Sequence, residues 1–531
     1  MTTNGAPVLY TCTLLTLLPS IWILIRLLKK MPPYPPGPKA FPIIGNVLDM
    51  PRRDFGGNFA KMRDIHGDVM YLNVLGQPIL VLGTYKAAYE LLDKRSVTLS
   101  GRPNSVMVEL ADMSWFFVFK NYGPKWRRYR RAFHQSFHAD ACVQHQSVQL
   151  EATRRMLCRI LESSQDLSAI LDFTFASTLM QLVYGLEVTR PDDRYFAMVE
   201  RIREVSEDIA VPGRYLVEAI PFLRYLPAWL PGMQFKRYAL KAKSDIHMIL
   251  DSLHHASVKA KEEGCAQDTV ATKILESSTS LEDLSHNETQ TMCRGVSASA
   301  YIAGVETTNA VTHAFVLLMA LHPEIQLRAQ EELDAVVGQN RLPDFTDRPH
   351  LPFINALVKE VLRFHIVLPL GVPHRTTSGE VYNGYFIPEG TIVCPNVWAM
   401  SRDPDEYSDP LSFKPERFLD RVGESKFPER DPIDFAFGFG RRQVQLHSTY
   451  LICPGRHLAD ASLFITCASI LHVYHIQPPI GEDGHRMKIE YEFSTESMLS
   501  HPKMYQFDIK PQSANAKRLI LECMDAFLAK E

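Results

Sequence analysis

The stretch Phe437-Gly438-Phe439-Gly440-Arg441-Arg442, followed beyond Gln443–Leu451 by Ile452-Cys453-Pro454-Gly455-Arg456, decides how this chain is read. Glycines alternating with aromatic residues make a turn whose backbone can approach a flat group closely. A single cysteine is most often a small buried hydrophobe. Cys453 is set apart by its surroundings, with the glycine-rich turn before it and Pro454-Gly455 after it. His457-Leu-Ala-Asp-Ala-Ser462 then continues as helix-compatible sequence. A thiolate facing the amides at the start of that helix would have its charge stabilised.

Working outward, Phe353–His365 carries apolar residues at helical spacing and predicts a helix. Glu360 and Arg363 are three apart, so they share one face of it. Together with Arg417, in Phe413-Lys-Pro-Glu-Arg417-Phe418, they can form a charge-assisted network. An ordinary surface pair is the plainer alternative. Met292–Leu321 reads as one long, largely apolar helix stopped at His322-Pro323. Within it lies Ala303-Gly304-Val305-Glu306-Thr307-Thr308. A hydroxyl in the middle of a helix often only bonds back to the preceding turn. Short strand-like runs, Val69–Val74 and Pro78–Leu82, precede the helical part.

In this order these motifs resemble those of the cytochrome P-450 family. The Cys453 segment resembles the heme-binding loop, Glu360–Arg363 the Glu-x-x-Arg helix and Phe413–Phe418 the Pro-Glu-Arg-Phe segment. Ala303–Thr308 resembles the oxygen-activation stretch, and Trp126 with Arg130 the Trp-x-x-x-Arg helix. The resemblance implies a mainly α fold, a large helical domain with a small β-sheet region. It implies heme b (iron protoporphyrin IX) with Cys453 as axial thiolate ligand to the iron. Trp126, Arg130, Arg375 and Arg442 match propionate contacts, and arginine suits that task because its fork meets a carboxylate bidentately. Glu306 and Thr307 match an acid–alcohol pair that relays protons, with Ala303 and Gly304 leaving room for dioxygen. Glu360, Arg363 and Arg417 match a buried structural triad. Arg127, Arg128 and Arg131 read as a solvated face, one that suits a redox partner.

The implied activity is monooxygenation of a lipophilic small molecule. Electrons would come from a membrane-bound NADPH-cytochrome P-450 reductase, since the chain shows no flavin- or nicotinamide-binding fingerprint. The likeness is to fungal enzymes of secondary or xenobiotic metabolism. A heme-thiolate isomerase or dehydratase is a competing expectation, and Glu306-Thr307 speaks against it. A non-catalytic membrane protein with an impaired heme site is another, supported by one departure from the family pattern. Gln443–Leu451 separates Arg442 from Ile452, and removing it would give FGFGRRICPGR, an uninterrupted match. Either the insertion is real, or a short untranslated stretch has been read in frame. The matching flanks favour the second.

Composition agrees with a large globule. The chain has 531 residues, 46% of them hydrophobic and 22% charged, with a net charge of −3. That charge gives no reason to expect nucleic acid as a partner. Nine scattered cysteines form no disulfide framework and suit the cytosol. Ala6–Ile25 carries no charged side chain and is followed by Arg26, Lys29 and Lys30. Such a run spans roughly 30 Å as a helix. Residues 1–30 are therefore read as a transmembrane anchor that leaves the catalytic part cytosolic, at the endoplasmic reticulum membrane. The six prolines of residues 32–42 make residues 31–45 a stiff connector to a catalytic domain over 46–531. Residues 211–232, apolar, aromatic and broken by four prolines, read either as a buried loop or as a surface segment that dips into a bilayer. Asn287-Glu288-Thr289 has the N-glycosylation pattern, which a cytosolic domain would not use.

Overall fold

Apolar residues at helical spacing dominate the chain, and helices dominate the fold. A computed structural model describes residues 32–211, 213–264, 268–277, 285–419, 429–440, 453–481, 483–494 and 498–529. The anchor expected over 1–30, Arg442 and the insertion 443–451 lie outside the described residues. The principal helices are α1 (Pro124–Phe137), α2 (Ala139–Glu162), α3 (Leu167–Tyr184), α4 (Arg194–Ala210) and α5 (Gln234–Glu262). They continue with α6 (His286–Leu321), α7 (Pro323–Val336), α8 (Pro352–Phe364), α9 (Arg456–Val473) and α10 (Ala514–Leu528). A four-stranded sheet holds β1 (Val69–Val74), β2 (Gln77–Leu82), β3 (His374–Arg375) and β4 (Ile392–Pro395), in the order β1-β2-β4-β3. β2 and β4 are parallel, pairing Ile79 with Ile392, and the other pairings are antiparallel.

Helix α6 organises the core. A capping box starts it, with Ser285 accepting from the Glu288 amide while the Glu288 carboxylate accepts from the Ser285 amide. Its N-terminal half, Met292 to Val305, belongs to an apolar cluster shared with α1, α3, α4 and α5. Its C-terminal half, Val311 to Ala320, belongs to a second cluster shared with α2, α7, α8, α9 and α10. Glu306, Thr307, Thr308 and Asn309 fall between the two, so the polar break in the helix coincides with the seam between cores. Both α6 and the stretch Ser164–Tyr184 are long and apolar enough to cross a membrane, but most of each is buried inside the globule.

The proline-rich connector is docked. Tyr34 stacks on Tyr71 with ring centroids 4.9 Å apart, and the Tyr71 and Phe386 amides donate to the Pro36 and Pro33 carbonyls at 2.8 and 2.7 Å. A loose linker is thereby excluded for residues 32–42. Residues 211–232 do not form a buried loop. Leu216, Phe222, Tyr225 and Trp229 are all exposed, Trp229 by 80%.

Candidate active site

The Cys453 turn is held to the glycine-rich turn by main-chain bonding. The Cys453 amide donates to the Phe437 carbonyl at 2.9 Å, and the Gly440 amide donates to Asp93 Oδ1 at 2.5 Å. Gly438 has a φ of +85°, a left-handed conformation that a side chain would strain. α9 begins three residues after Cys453, so the amides of Gly455 and Arg456 face the sulfur. Burial pushes the Cys453 thiol up. Those two amides, with the charges of Arg130 and Arg456, pull the other way. Cys142, Cys158, Cys293, Cys394 and Cys467 are buried, whereas Cys453 is exposed, and what it faces is an internal cavity.

That cavity, about 290 Å³, is bounded by the Phe437–Phe439 turn, Cys453–Gly455, α1, α3 and the polar break of α6. A larger cleft, about 710 Å³ and lined by groups such as Gln135, Asp140 and Lys273, shares only Leu182 with it and holds none of the motif residues. Ala303, Gly304, Thr307 and Thr308 all line the smaller cavity. Gly304 also allows α3 to come close, because a Cβ there would lie 2.7 Å from Leu179 Cδ1. Thr307 Oγ1 donates to the Ala303 carbonyl at 2.8 Å, the back-bond expected of a helical threonine.

Glu306 is one residue from Thr307 but does not line the cavity. Its carboxylate points across α6 to Arg203 Nη1 at 3.6 Å and His501 Nε2 at 3.5 Å. Desolvation raises it to about 7, opposed by Arg203 and reinforced by Glu207, Asp172 and Glu200. The sequence expectation of an acid–alcohol pair inside one pocket is corrected in this respect. The alcohol faces the cavity, and the acid faces the outer side of the helix.

The cationic lining differs from expectation too. Trp126 and Arg130, one helical turn apart on α1, are buried and line the cavity, while Arg127, Arg128 and Arg131 are exposed. Arg375 does not reach it. Successive side chains on a strand alternate, so β3 turns His374 inward and sends Arg375 to Gly390, where a Cβ would lie 3.3 Å from its Nη2. Arg102, a loop residue, lies on the lining instead, with its Nη1 donating to the Val372 and Pro373 carbonyls at 2.9 Å each. Burial and neighbouring Arg130 lower Arg102 to about 10. His374 accepts this environment as a neutral ring, pushed to about 3 by burial and by Arg102, with Nδ1 donating to the Leu99 carbonyl at 2.9 Å. No periodic signal marks Arg102, whereas strand alternation could have picked out His374.

The lining fits the heme that the motifs imply. Among the described lining residues there is no aspartate or glutamate, yet two guanidiniums, Arg102 and Arg130, repel one another there. Arg102, buried and bonded to the neutral Val372 and Pro373 carbonyls, suits a nearby anion. A flat group with apolar faces and two carboxylates supplies it, and Cys453 supplies a thiolate from the same wall.

Behind the site, Glu360, Arg363 and Arg417 are brought together. Arg363 Nε and Nη2 both donate to Glu360 at 2.7 Å, and Arg417 Nε lies 3.1 Å from Glu360 Oε2. The side chains of Glu360 and Arg363 have no exposed surface. Arg363 also donates to the Ser401, Pro410 and Ser412 carbonyls, tying α8 to the segment after β4. The surface-pair alternative is excluded.

A profile of the family "Cytochrome P450" matches residues 35–508. A protein of Coprinopsis cinerea named cytochrome P450 monooxygenase COX2 is 36% identical over 497 residues, 93% of this chain and 92% of its own. Cytochrome P450 monooxygenase 208 of Postia placenta is 36% identical over 490 residues, 92% of each chain. Tryptamine 4-monooxygenase of Psilocybe cyanescens is 34% identical over 488 residues, 91% of this chain and 94% of its own.

Proposed function

Because the chain belongs to the cytochrome P450 family and is a monooxygenase of that family, we propose that it inserts one oxygen atom of dioxygen into a neutral lipophilic small molecule. Electrons come from an NADPH-dependent reductase. The observation that carries this reading is the convergence of Cys453, Arg102, Arg130 and Thr307 on one cavity.

Cys453 would ligate the heme iron, and Arg102, Trp126, Arg130 and His374 would hold its propionates. Arg442, which lies outside the described residues, matches a further propionate contact of the family by its place in the motif. Bound there, the heme supplies dioxygen activation, which thiolate ligation favours. The chain supplies everything else. Phe116, Phe117 and Val118 with Leu179 and Val367 form apolar walls that exclude water and orient a hydrocarbon substrate. The absence of a carboxylate from the described lining gives a cationic amine no partner. Thr307 presents a hydroxyl to the cavity, able to pass on a proton once it leaves the Ala303 carbonyl. Glu306, behind it, is the acid that resupplies that hydroxyl.

Residues 1–30 and the exposed Leu216, Phe222, Tyr225 and Trp229 support attachment to the endoplasmic reticulum membrane, with the catalytic domain cytosolic. A C-terminal tag should be digested by protease added to intact microsomes, and protection would reverse that topology. The activity itself is tested with the heme-loaded chain, a reductase and a panel of apolar substrates. Product formation should require NADPH and dioxygen, and Thr307→Ala should divert reducing equivalents to hydrogen peroxide. Turnover without either co-substrate would point to an isomerase instead.

A further inference from the structure

We infer that His501 is the proton-exchange partner of Glu306, so that protons enter the site through the strand His501–Pro502 and across α6. The inference rests on the reading of Glu306 and Thr307 as the proton path.

Its basis is a contrast between the two cations within reach of Glu306. Arg203 Nε donates to both oxygens of Glu200 at 2.9 and 3.0 Å, and its Nη1 donates to Glu207 at 2.6 Å. The fork is thus occupied, and Glu306 feels it as a charge 3.6 Å away. A guanidinium does not give up a proton in a protein, so Arg203 can bias Glu306 but cannot recharge it. His501 Nε2 lies as close, at 3.5 Å from the same Oε1, and an imidazole both gives and takes a proton near neutrality.

His501 is placed to reach water as well. Its side chain is 33% exposed while that of Glu306 is 15% exposed. It sits on the two-residue strand His501–Pro502, paired antiparallel with Phe493–Ser494, which fixes the ring against α6. The path therefore runs from solvent to His501, from His501 to Glu306, and from Glu306 to the neighbouring Thr307 at the cavity. In each transfer a proton leaves an O–H or N–H and joins the imidazole nitrogen, the carboxylate oxygen or the hydroxyl oxygen in turn, the hydroxyl releasing its own proton inward, and each donor is refilled from the outer side. Nothing is oxidised.

The groups facing this pair are Glu200, Arg203 and Glu207 from α4, Asp172 from α3, His313 from α6 itself and His365 just beyond α8. His313 Nε2 is 3.2 Å from Asp172 Oδ1, which gives that histidine its own carboxylate partner. Burial lowers His501 and raises Glu306 to about 7, so the proton passes from the imidazolium to the carboxylate in the favourable direction.

The test uses the full-length, heme-loaded chain and His501→Gln, which keeps a hydrogen-bonding side chain but cannot titrate. Two readouts are needed. The first is product formed per NADPH across pH with its solvent isotope effect. Proton-limited turnover should fall roughly 100-fold, the low end of what a positioned proton-transfer group contributes, with the isotope effect enlarged and substrate binding unchanged. The second is the infrared band of the protonated Glu306 carboxyl, identified by its loss in Glu306→Gln. Its titration midpoint should shift in His501→Gln, because a titrating group 3.5 Å from the carboxylate has been replaced by one that cannot titrate. If His501→Gln matches the parent in coupling, isotope effect and carboxyl titration, the inference is overturned while the monooxygenase reading stands. If Glu306→Gln also couples normally, the proton path itself is wrong.

Discussion

The amide of Cys453 donates to the carbonyl of Phe437 over 2.9 Å, although Gln443–Leu451 intervenes between their two turns. That bond joins the glycine-rich turn directly to the cysteine turn. Closing a nine-residue loop costs about 2 kcal/mol, far less than losing the site. Deleting residues 443–451 should leave the thiolate-type spectrum unchanged in kind while increasing heme retention and the rate of electron uptake. Retention is measured by transfer of heme to apomyoglobin. Equal retention and reduction rates in both forms would show the insertion to be harmless.

Glu360 holds two buried arginines, and removing it leaves Arg363 buried without its carboxylate while Arg417 keeps Glu429. Glu360→Ala should destabilise the protein by roughly 3–5 kcal/mol, the usual effect of breaking a buried pair from one side. Arg417→Met should cost less, because Arg363 still occupies both oxygens of Glu360. Urea denaturation of the two variants measures the difference, and equal losses would contradict the central place given to Glu360.

The inward turn of His374 and the outward turn of Arg375 lead to opposite expectations for neighbouring loci. Arg102→Leu should weaken heme retention by about 2 kcal/mol, a charged hydrogen bond's worth, or roughly thirtyfold. Arg375→Leu should leave retention close to that of the parent, because its guanidinium lies against Gly390. If Arg375→Leu loses heme as readily as Arg102→Leu, the assignment of the propionate edge is wrong.

Much of this was legible from residues alone. The glycine-rich turn, Cys453 and the Glu360–Arg363 spacing each carry a local requirement, and each appears where its motif puts it. The side toward which a motif residue points was less legible. Glu306 and Thr307 are adjacent on a helix, so they necessarily project in different directions, and only the packing of α4 and the His501 strand shows which one faces the cavity. Arg102 was invisible because loops have no period, and Arg375 came from the motif match, which does not by itself say which of two adjacent strand residues turns inward.

Burial of Glu306 also has a consequence for stability. The folded chain keeps that proton up to about pH 7, whereas the unfolded chain releases it near the ordinary value of 4.5. Between those values the native state binds more protons, so stability falls as pH rises through the window. Glu306→Gln should remove a penalty on the order of 2 kcal/mol at pH 8 and make no such gain at pH 4. Thermal denaturation at both pH values checks this, and a uniform shift at the two would mean the carboxyl is ionised throughout.

The most direct test of the central claim is the reduced carbon-monoxide difference spectrum of the full-length chain beside Cys453→Ala and Cys467→Ala. Cys467 is buried in the core and does not line the cavity. The parent and Cys467→Ala should give the thiolate-type band, and Cys453→Ala should lose it. A thiolate-type band that survives in Cys453→Ala would contradict the assignment of the ligand and, with it, the account of the site.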